Sequence, residues 1–308
     1  GTDHNFAAAI SVIAIVVTAL VFFIQKWATS RYKFSINALH PIEKKKPTGI
    51  KGALMYLYTY GLVLVSFMPQ VYIIYLSFRN CDQAVFKPGY SLANYQLAMK
   101  KLLVRSIKNT MFLGVGSLLV IILFAILIAY LVVRRSSVLN NAIDTLAMIP
   151  YIMPGSVIGI AMVIAFGKPP LALTGTALIM LISFVVRRMP YTIRSATATL
   201  MQIPMSIEEA SISLGASKLK TFAKITVPMM SNGIISGAIL SWVSIVTELS
   251  SSIILYNNKN ITLTMSAYVA ISRGNYGLAC AFSAILTVLT AISLLVYLWV
   301  SKSEDIKL

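Results

Sequence analysis

One acidic residue, Glu248, lies in a long apolar stretch of the C-terminal half, and serines occupy positions 250 to 252 shortly after it. A carboxylate within hydrocarbon costs about 3 kcal/mol on insertion scales, so such a residue indicates a functional site by default. The hydroxyl groups of Ser250 and Ser251 could line a polar path or bond to the preceding helical turn. The alternative for Glu248 is a structural pairing with a neighbouring helix or a tyrosine.

A second apolar stretch is interrupted by prolines, in the sequence MIPYIMPG. Each proline removes one backbone hydrogen bond and bends a helix, which membranes tolerate where neighbouring helices or water satisfy the freed carbonyls. The pattern predicts either a kinked packing helix or a broken helix that lines a pathway. The residues assigned to this predicted path are Pro150, Pro154, Gly155, Glu248, Ser250 and Ser251.

The long polar interruption between hydrophobic spans in the C-terminal half runs from residue 206 to 228. Ser206 could cap a first helix over about 207–214, with Glu209 reaching back as the other half of a capping box. Gly215 stands where such a helix needs a residue in the left-handed conformation, so the chain can turn sharply there. The sequence therefore predicts a short helix followed by a tight turn.

A second short helix is predicted over about 217–225, with Leu219 and Phe222 on one side, and Pro228 would end it. Glu209 and Gly215 could act only as cap and terminator. A rigid helix-turn-helix in an otherwise membrane-embedded chain is nevertheless most simply explained as a surface that docks another protein.

This stretch resembles the EAA loop of permease subunits of bacterial binding-protein-dependent ABC importers. The family pattern is Glu-Ala-Ala, three residues, Gly, nine residues, Ile, one residue, Leu, Pro. At those spacings this sequence has Glu209, Ala210, Gly215, Ile225 and Pro228. It departs from the pattern at Ser211, in place of the second Ala, and at Val227, in place of Leu.

The resemblance implies that this loop, over 205–228, forms coupling helices that dock into a groove on a cytoplasmic ATPase subunit. The residues assigned to coupling with that ATPase are Glu209, Ala210, Gly215, Leu219, Phe222, Ile225 and Pro228. No Gly-rich Lys-Ser/Thr phosphate loop occurs in the chain, so ATP and Mg²⁺ are expected on the partner, and no cofactor is expected on this chain.

Composition predicts an integral membrane protein, with 58% hydrophobic residues, 11% charged residues and a mean hydropathy of +0.82. The net charge of +17 lies in loops between spans, where Lys and Arg set topology. No groove of interleaved basic and aromatic residues accompanies it, which argues against nucleic-acid binding. Cys81 and Cys280 form neither a disulfide framework nor a metal site.

Hydrophobic segments of near-spanning length predict an all-α, polytopic fold with about seven transmembrane helices. The predicted spans are 6–24, 53–76, 111–133, 145–166, 171–186, 230–256 and 278–300. Loops on the side of the EAA stretch carry 17 Lys and Arg, and the opposite loops carry 9. This asymmetry predicts that the EAA loop and the C-terminus lie in the cytoplasm and that Gly1 lies outside.

Two segments beside the spans carry further predictions. The segment from 91 to 110 has apolar residues at helical spacing and is predicted to form an interfacial amphipathic helix before the third span. Three arginines that follow the fifth span, Arg187, Arg188 and Arg194, are predicted to be snorkelling anchors at the cytoplasmic boundary.

The chain is predicted to divide into a leading helix with a basic cytoplasmic linker (1–51), a permease transmembrane domain (52–300) and a cytoplasmic tail (301–308). A single-domain permease of this family would start near Lys51. The preceding helix and linker therefore resemble the last helix of an upstream permease half, or an added N-terminal helix.

The resemblance covers about 52–300 and implies a type I ABC importer permease in the bacterial inner membrane. It implies a second permease domain, ATPase subunits, an extracytoplasmic solute-binding protein and membrane lipid as partners. The solute is expected to be ferric iron, with phosphonate, thiamine or polyamine as alternatives, although no metal-ligand spacing supports iron directly.

Two other classes of function compete with an importer permease. The first is a secondary transporter driven by an ion gradient through Glu248, which would need no docking element. The second is a membrane enzyme, which would need a clustered catalytic set. His4 and His40 lie at the N-terminal end and in the linker, away from the spans, so the chain is expected not to be an enzyme.

Overall fold

The computed structural model describes residues 47–135 and 137–305, together with scattered residues between 12 and 24. Those scattered residues are helical. Most of the predicted first span, Gly1, both histidines and the linker up to residue 46 lie outside the described residues.

The described part of the chain is mostly helical, as predicted. The helices, in chain order, are α1 (Gly49–Ser77), α2 (Ala93–Lys101), α3 (Leu103–Arg134), α4 (Val138–Ile152), α5 (Gly155–Ala165), α6 (Ala177–Gln202), α7 (Met205–Ser213), α8 (Lys218–Met229), α9 (Ser231–Val246), α10 (Ser252–Leu255), α11 (Leu263–Ser272) and α12 (Tyr276–Asp305). One short hairpin, β1 (Arg79–Asp82) and β2 (Val85–Tyr90), is the only sheet among the described residues.

Three helices, α1, α3 and the apolar part of α12, are long and apolar enough to cross a membrane, and they correspond to predicted spans. Two bent pairs of helices, α4 with α5 at 109° and α8 with α9 at 65°, pass the same test only when each pair is counted as one span. By length and composition, the described residues thus contain three to five candidate spans. The sequence predicts about seven over the whole chain.

The centre of the bundle is built by α3, α6 and α9, with α5 packed beside them. Leu113 of α3, Phe184 of α6 and Ile245 of α9 are buried in one cluster. Gly237 of α9 lets the helices approach closely, since a Cβ there would stand 2.6 Å from the Cα of Thr192 on α6. Small residues where helices cross allow this close approach in membranes, where van der Waals packing drives the association of helices.

The predicted bounds of the fifth span, 171–186, are wrong. Helix α6 begins at Ala177, where the Thr176 hydroxyl accepts from the N–H of Ile179 at 3.4 Å, and it continues to Gln202. The predicted span ends just before Arg187 and Arg188, but arginine is a good helix former and the helix continues through both residues.

The predicted interfacial helix over 91–110 is also wrong in its extent and its surroundings. The chain forms α2 and then begins α3 at Leu103, before the predicted start of the third span at 111. The apolar side chains of Leu97, Leu102 and Ile107 pack against a buried cluster that includes Phe282 of α12. Their helical spacing reflects protein contact, which a sequence pattern does not distinguish from contact with headgroups.

The predicted loops on the side opposite the EAA stretch contain regular structure. The hairpin is fastened to the bundle because Asn94 donates to the carbonyls of Ser77 and Arg79 at 3.0 and 2.9 Å. Helix α11 lies within the loop predicted over 257–277, and Leu263 and Met265 on it are fully buried. This side of the molecule is therefore a packed surface.

The outer faces of α1 and α12 are apolar and exposed. Leu57 and Leu64 on α1 are more than two-thirds exposed, and so is Trp299 on α12. Exposed apolar area on this scale marks a surface that is covered by lipid or by another protein.

Candidate functional site

The first candidate site is the polar loop between α6 and α9, and its first helix begins differently from the prediction. Helix α7 starts at Met205 with Pro204 as its N-cap, and no side chain caps it. The Ser206 capping box is therefore wrong, because the carbonyl of Pro204 already accepts the first bond, from the N–H of Ile207 at 3.3 Å. Pro204 fixes the helix start two residues earlier than the sequence pattern suggests.

Gly215 adopts the predicted left-handed conformation, with φ of +90°. The N–H of Gly215 donates to Ile212 at 2.9 Å, and the N–H of Ala216 donates to Ser211 at 3.1 Å. These two bonds form the helix terminator that glycine favours. A Cβ at Gly215 would meet no atom within 4 Å, so the backbone conformation is what requires glycine there.

The second helix of the loop, α8, is longer than predicted. Ser217 caps it by accepting from the N–H of Lys220 at 3.3 Å, and the helix runs through Pro228 to Met229. Its middle, Phe222–Thr226, is a π-helical turn. Pro228 has no N–H, so it cannot donate the usual hydrogen bond to the preceding helical turn. Wider π-helical turns of this kind are often found at functional sites.

Ser211, the departure from the family pattern, has a structural partner. Its hydroxyl lies 2.9 Å from the Thr221 hydroxyl, and both side chains are buried between α7 and α8. The hydrogen bond joins the two helices of the loop directly. A threonine ten positions along the chain therefore accounts for a serine where the family pattern has alanine.

The tip of the loop exposes apolar side chains. Leu214 is 90% exposed and Leu219 is 76% exposed. Phe222 instead packs edge-on against the ring of Tyr130 on α3, at 4.8 Å between centroids. Glu209, Ala210 and Pro228 are exposed, and Ile225 is half-buried. Leu214 was not among the predicted coupling residues, although it is the most exposed apolar residue of the tip.

The loop is anchored by a carboxylate that the sequence prediction missed. Glu208 is 3% exposed and accepts from Arg134 at 2.8 Å and from the hydroxyl of Tyr130 at 3.2 Å. Arg134 also donates to the carbonyl of Ile203 at 2.9 Å. The family pattern drew attention to Glu209, which is exposed. Its neighbour Glu208 makes the contact with α3, and Ser211, three residues further on, makes the contact with α8.

The second candidate site surrounds Glu248, which lies in the break between α9 and α10. Its side chain is 2% exposed and forms ion pairs with Arg187 through one carboxylate oxygen and with Arg188 through the other. The N–H and hydroxyl of Ser251 also donate to Glu248, at 3.1 and 3.3 Å. The sequence placed this carboxylate inside a continuous sixth span, but helix α9 already ends at Val246.

The prediction that Arg187 and Arg188 are snorkelling anchors is wrong. Both lie in the middle of α6, and their side chains are only 11% and 17% exposed. A carboxylate 61 positions away from Arg187 provides the negative charge that keeps them inside the protein. Buried charges need such partners.

The broken helix predicted around MIPYIMPG meets the same cluster. Pro154 caps α5 after the 109° bend, and Gly155 lies directly against the arginine side chain. A Cβ at Gly155 would stand 2.5 Å from Nη1 of Arg187 and 2.5 Å from Cβ of Ser250. Gly155, Ser250, Ser251 and Glu248 are therefore brought together, and Pro150 lies in the last turn of α4, before the bend.

Two tyrosines continue this polar region. Tyr191 follows the arginines on α6 by one turn, and its ring packs edge-on against Tyr151 of α4 at 5.4 Å between centroids. Tyr151 is 52% exposed and Ser250 is exposed, so one side of the cluster opens at the surface of the described chain. No group of three or more His, Cys, Asp or Glu side chains that could hold a metal lies among the described residues.

Comparison with known proteins identifies relatives by sequence. Residues 121–303 match the family described as binding-protein-dependent transport system inner membrane component. The ferric transport system permease protein FbpB of Actinobacillus pleuropneumoniae is 27% identical over 304 residues, which is 97% of this chain and 44% of the relative. The molybdate/tungstate transport system permease protein WtpB of Pyrococcus furiosus is 31% identical over 216 residues, 69% of this chain and 83% of that protein.

Solved structures share the fold. A chain of a bacterial ABC transporter that imports the acidic polysaccharide alginate superposes with a TM-score of 0.63 at 17% identity, covering 82% of this chain and 94% of that one. This chain spans less than half the length of the ferric relative. The relatives are named as transport permeases and not as enzymes. The match over more than half of the sequence shows that the chain belongs to the family of inner-membrane components of binding-protein-dependent transport systems.

Proposed function

We propose that this protein is the permease subunit of an ATP-driven importer that passes a solute from an extracytoplasmic binding protein to the cytoplasm. The observation that carries the proposal is the loop at 205–228. It is a rigid helix-turn-helix with a glycine terminator and an exposed apolar tip at Leu214 and Leu219, on a bundle whose other exposed apolar surfaces suit lipid. A tip of this kind is the shape expected of an element that inserts into a groove on another subunit.

The partners follow from this assignment. ATPase subunits would bind the loop, together with ATP and Mg²⁺, and this chain would hold no cofactor. A second permease domain would complete the pathway. The ferric relative is more than twice as long as the part that this chain matches, which is consistent with the chain being one half of a tandem permease. The loop and C-terminus would face the cytoplasm of a bacterium.

Transport would proceed by alternating access. Closure of the ATPase dimer would move the loop, and the loop is fastened to α3 through the pair between Glu208 and Arg134. Because Arg134 also holds the end of α6 through the carbonyl of Ile203, two helices of the central bundle would follow the loop. The bent pair α4–α5 and the Glu248 cluster would then open to alternate sides.

For the solute, we propose ferric iron first, because a ferric permease aligns with 97% of the chain. Relatives named for molybdate and tungstate make an oxyanion the strongest alternative. Phosphonate, thiamine and polyamine remain alternatives from the sequence resemblance alone.

The experiment that tests the proposal is affinity purification of the full chain from its native membrane, with mass spectrometry of the co-purifying proteins. The chain should retain an ATPase subunit, and Gly215→Asp should lose it, because a charged side chain enters the turn that the ATPase contacts. Gly274→Asp is the matched control. Gly274 ends α11 with φ of +70° and the same pair of backbone bonds, and it also has open space around it.

Loss of the ATPase with Gly215→Asp but not with Gly274→Asp supports coupling through this loop. Equal loss in both variants shows that backbone strain alone is responsible and contradicts the assignment of the loop. If an intact membrane preparation yields no ATPase at all, the secondary transporter driven through Glu248 becomes the better proposal, and solute uptake should then follow a proton gradient without ATP.

A further inference from the structure

The cluster around Glu248 holds more positive than negative charge. Arg187 and Arg188 both pair with the single carboxylate of Glu248, so the three side chains carry a net charge of about +1 at neutral pH. The three side chains are at least four-fifths shielded from solvent. An uncompensated charge in such a place is strongly unfavourable unless a counter-charge or water reaches it.

The cluster also has more hydrogen-bond donors than acceptors. Each arginine offers five N–H groups and no acceptor. The carboxylate of Glu248 already accepts from both arginines and from Ser251. The Nε atoms of Arg187 and Arg188 are buried and have no partner among the described residues. Buried donors of this kind are rare unless another group completes them.

Glu248 is the only carboxylate that pairs with either arginine among the described side chains. Asp144 binds Arg194, Glu208 binds Arg134, Asp82 binds Lys87, and Glu209 is exposed on α7. The nearby side chains with hydroxyl groups are those of Tyr151, Tyr191 and the serines after Glu248, which are neutral. A negative charge that balances the cluster is therefore not supplied by these neighbouring side chains.

The position of the cluster is that of a solute path. It lies where two broken helices meet, at the 109° bend before Gly155 and at the break after Val246. Gly155 also places the start of α5, the positive end of its helix dipole, against the arginine. In many membrane transporters, discontinuous helices form the solute site, and the N-terminal ends of half-helices point at anionic groups of the solute.

From these observations we infer that the Glu248 cluster binds an anion with oxygen acceptors, so that the solute passes this point as an oxyanion or as ferric iron in an anionic complex. The inference rests on the proposed importer function and names its substrate class. A bare ferric ion would be repelled by the net positive charge, whereas paired guanidinium groups match the geometry of oxyanions.

The test measures anion binding to the full chain, purified with its co-purifying subunits and without the binding protein, in lipid nanodiscs. Tungstate is the first probe and ferric citrate is the second. Equilibrium dialysis with elemental analysis gives the bound amount. Saturable binding of tungstate would assign an oxyanion, and saturable binding of ferric citrate alone would assign an anionic iron complex.

Two variants change the charge of the cluster in opposite directions. They therefore distinguish an effect of charge on anion binding from an effect of a disturbed structure. Arg188→Gln leaves a neutral pair, and binding should weaken by at least about tenfold, since a charged partner of the anion is lost. Glu248→Gln raises the charge to about +2, so binding should be retained or tighter. Arg194→Gln, on the same helix and half exposed, is the control and should bind as the unaltered protein does.

Elution as a single species and retention of the ATPase show that each variant is folded. Arg187→Gln, which also leaves a neutral pair, replaces Arg188→Gln if that variant is not folded. Absence of saturable binding for both probes, or equal loss of binding in Arg188→Gln and Glu248→Gln, would overturn the inference. Because ATPase retention is measured separately, a protein that keeps its ATPase but binds no anion refutes the inference and leaves the importer proposal intact.

Discussion

At the residue scale, the hydrogen bond between Ser211 and Thr221 joins the two helices of the loop and stiffens it. Both hydroxyls are buried, so removing one leaves the other without a partner. A buried polar group left unsatisfied costs about 1–3 kcal/mol, whereas replacing both partners by apolar groups is nearly neutral. The pair can therefore be tested with a double-mutant cycle.

We expect Ser211→Ala and Thr221→Val each to loosen the loop, and the double variant to recover most of the loss. Trypsin cleavage at the exposed Lys218 and Lys220 of α8 reports local opening, and each single variant should be cut several-fold faster than the double variant. Additive acceleration in the double variant would contradict a direct bond between the two side chains.

At the element scale, the pair between Glu208 and Arg134 is the connection between the loop and α3. Both side chains are less than one-tenth exposed. Removing one partner of a buried ion pair typically costs about 3–5 kcal/mol, because the other charge is left without compensation. The neighbouring Glu209 is exposed and provides a matched control on the same helix.

We predict that Glu208→Ala lowers the thermal midpoint of the purified complex and abolishes uptake, while Glu209→Ala leaves the thermal midpoint unchanged. The double variant Arg134→Leu with Glu208→Leu should regain stability, since an apolar pair can replace a buried ion pair. If this double variant is stable but still takes up no solute, the result shows that the charged pair connects the loop to the bundle. Equal destabilisation by Glu208→Ala and Glu209→Ala would contradict the anchoring role.

Also at the element scale, the breaks in the helices have different causes. The bend between α4 and α5 follows from Pro154, which is visible in the sequence. The break after α9 has no proline near it and coincides with Glu248, whose carboxylate accepts from the N–H of Ser251. A side chain that takes backbone donors in this way competes with the helix ladder.

At the scale of the whole molecule, the arginine pairing changes the charge balance used to orient the chain. Arg187 and Arg188 are inside the protein and no longer count among the 17 Lys and Arg of the predicted cytoplasmic loops. The difference from the opposite loops shrinks but keeps its sign. The predicted orientation, with the loop at 205–228 in the cytoplasm, is unchanged.

Cysteine labelling tests this orientation. In a background with Cys81 and Cys280 replaced by serine, a membrane-impermeant maleimide should label Lys259→Cys in intact spheroplasts, because that exposed position is predicted to face outward. Leu214→Cys, at the tip of the loop, should be labelled only after the membrane is permeabilised. The reverse pattern would invert the topology and remove the loop from the reach of a cytoplasmic ATPase.

The sequence by itself determined the features that depend on neighbouring residues. Gly215 ends a helix because only its own conformation and the preceding turn are involved, and Pro154 breaks a helix for a similar reason. Long apolar segments predicted spans because a helix in lipid must satisfy its own backbone. The family pattern at 209–228 could be recognised from the types of a few residues and their spacing along the chain.

Only the tertiary structure decided which charges meet. Glu248 lies 61 positions from Arg187, and Glu208 lies 74 positions from Arg134, so no local pattern connects them. The sequence also could not separate lipid-facing from protein-facing apolar residues, such as Leu97 and Ile107, because both environments select the same side chains. Long-range pairing and burial arise from how the helices pack together, and that packing brings two adjacent arginines and a distant carboxylate into a single charged site.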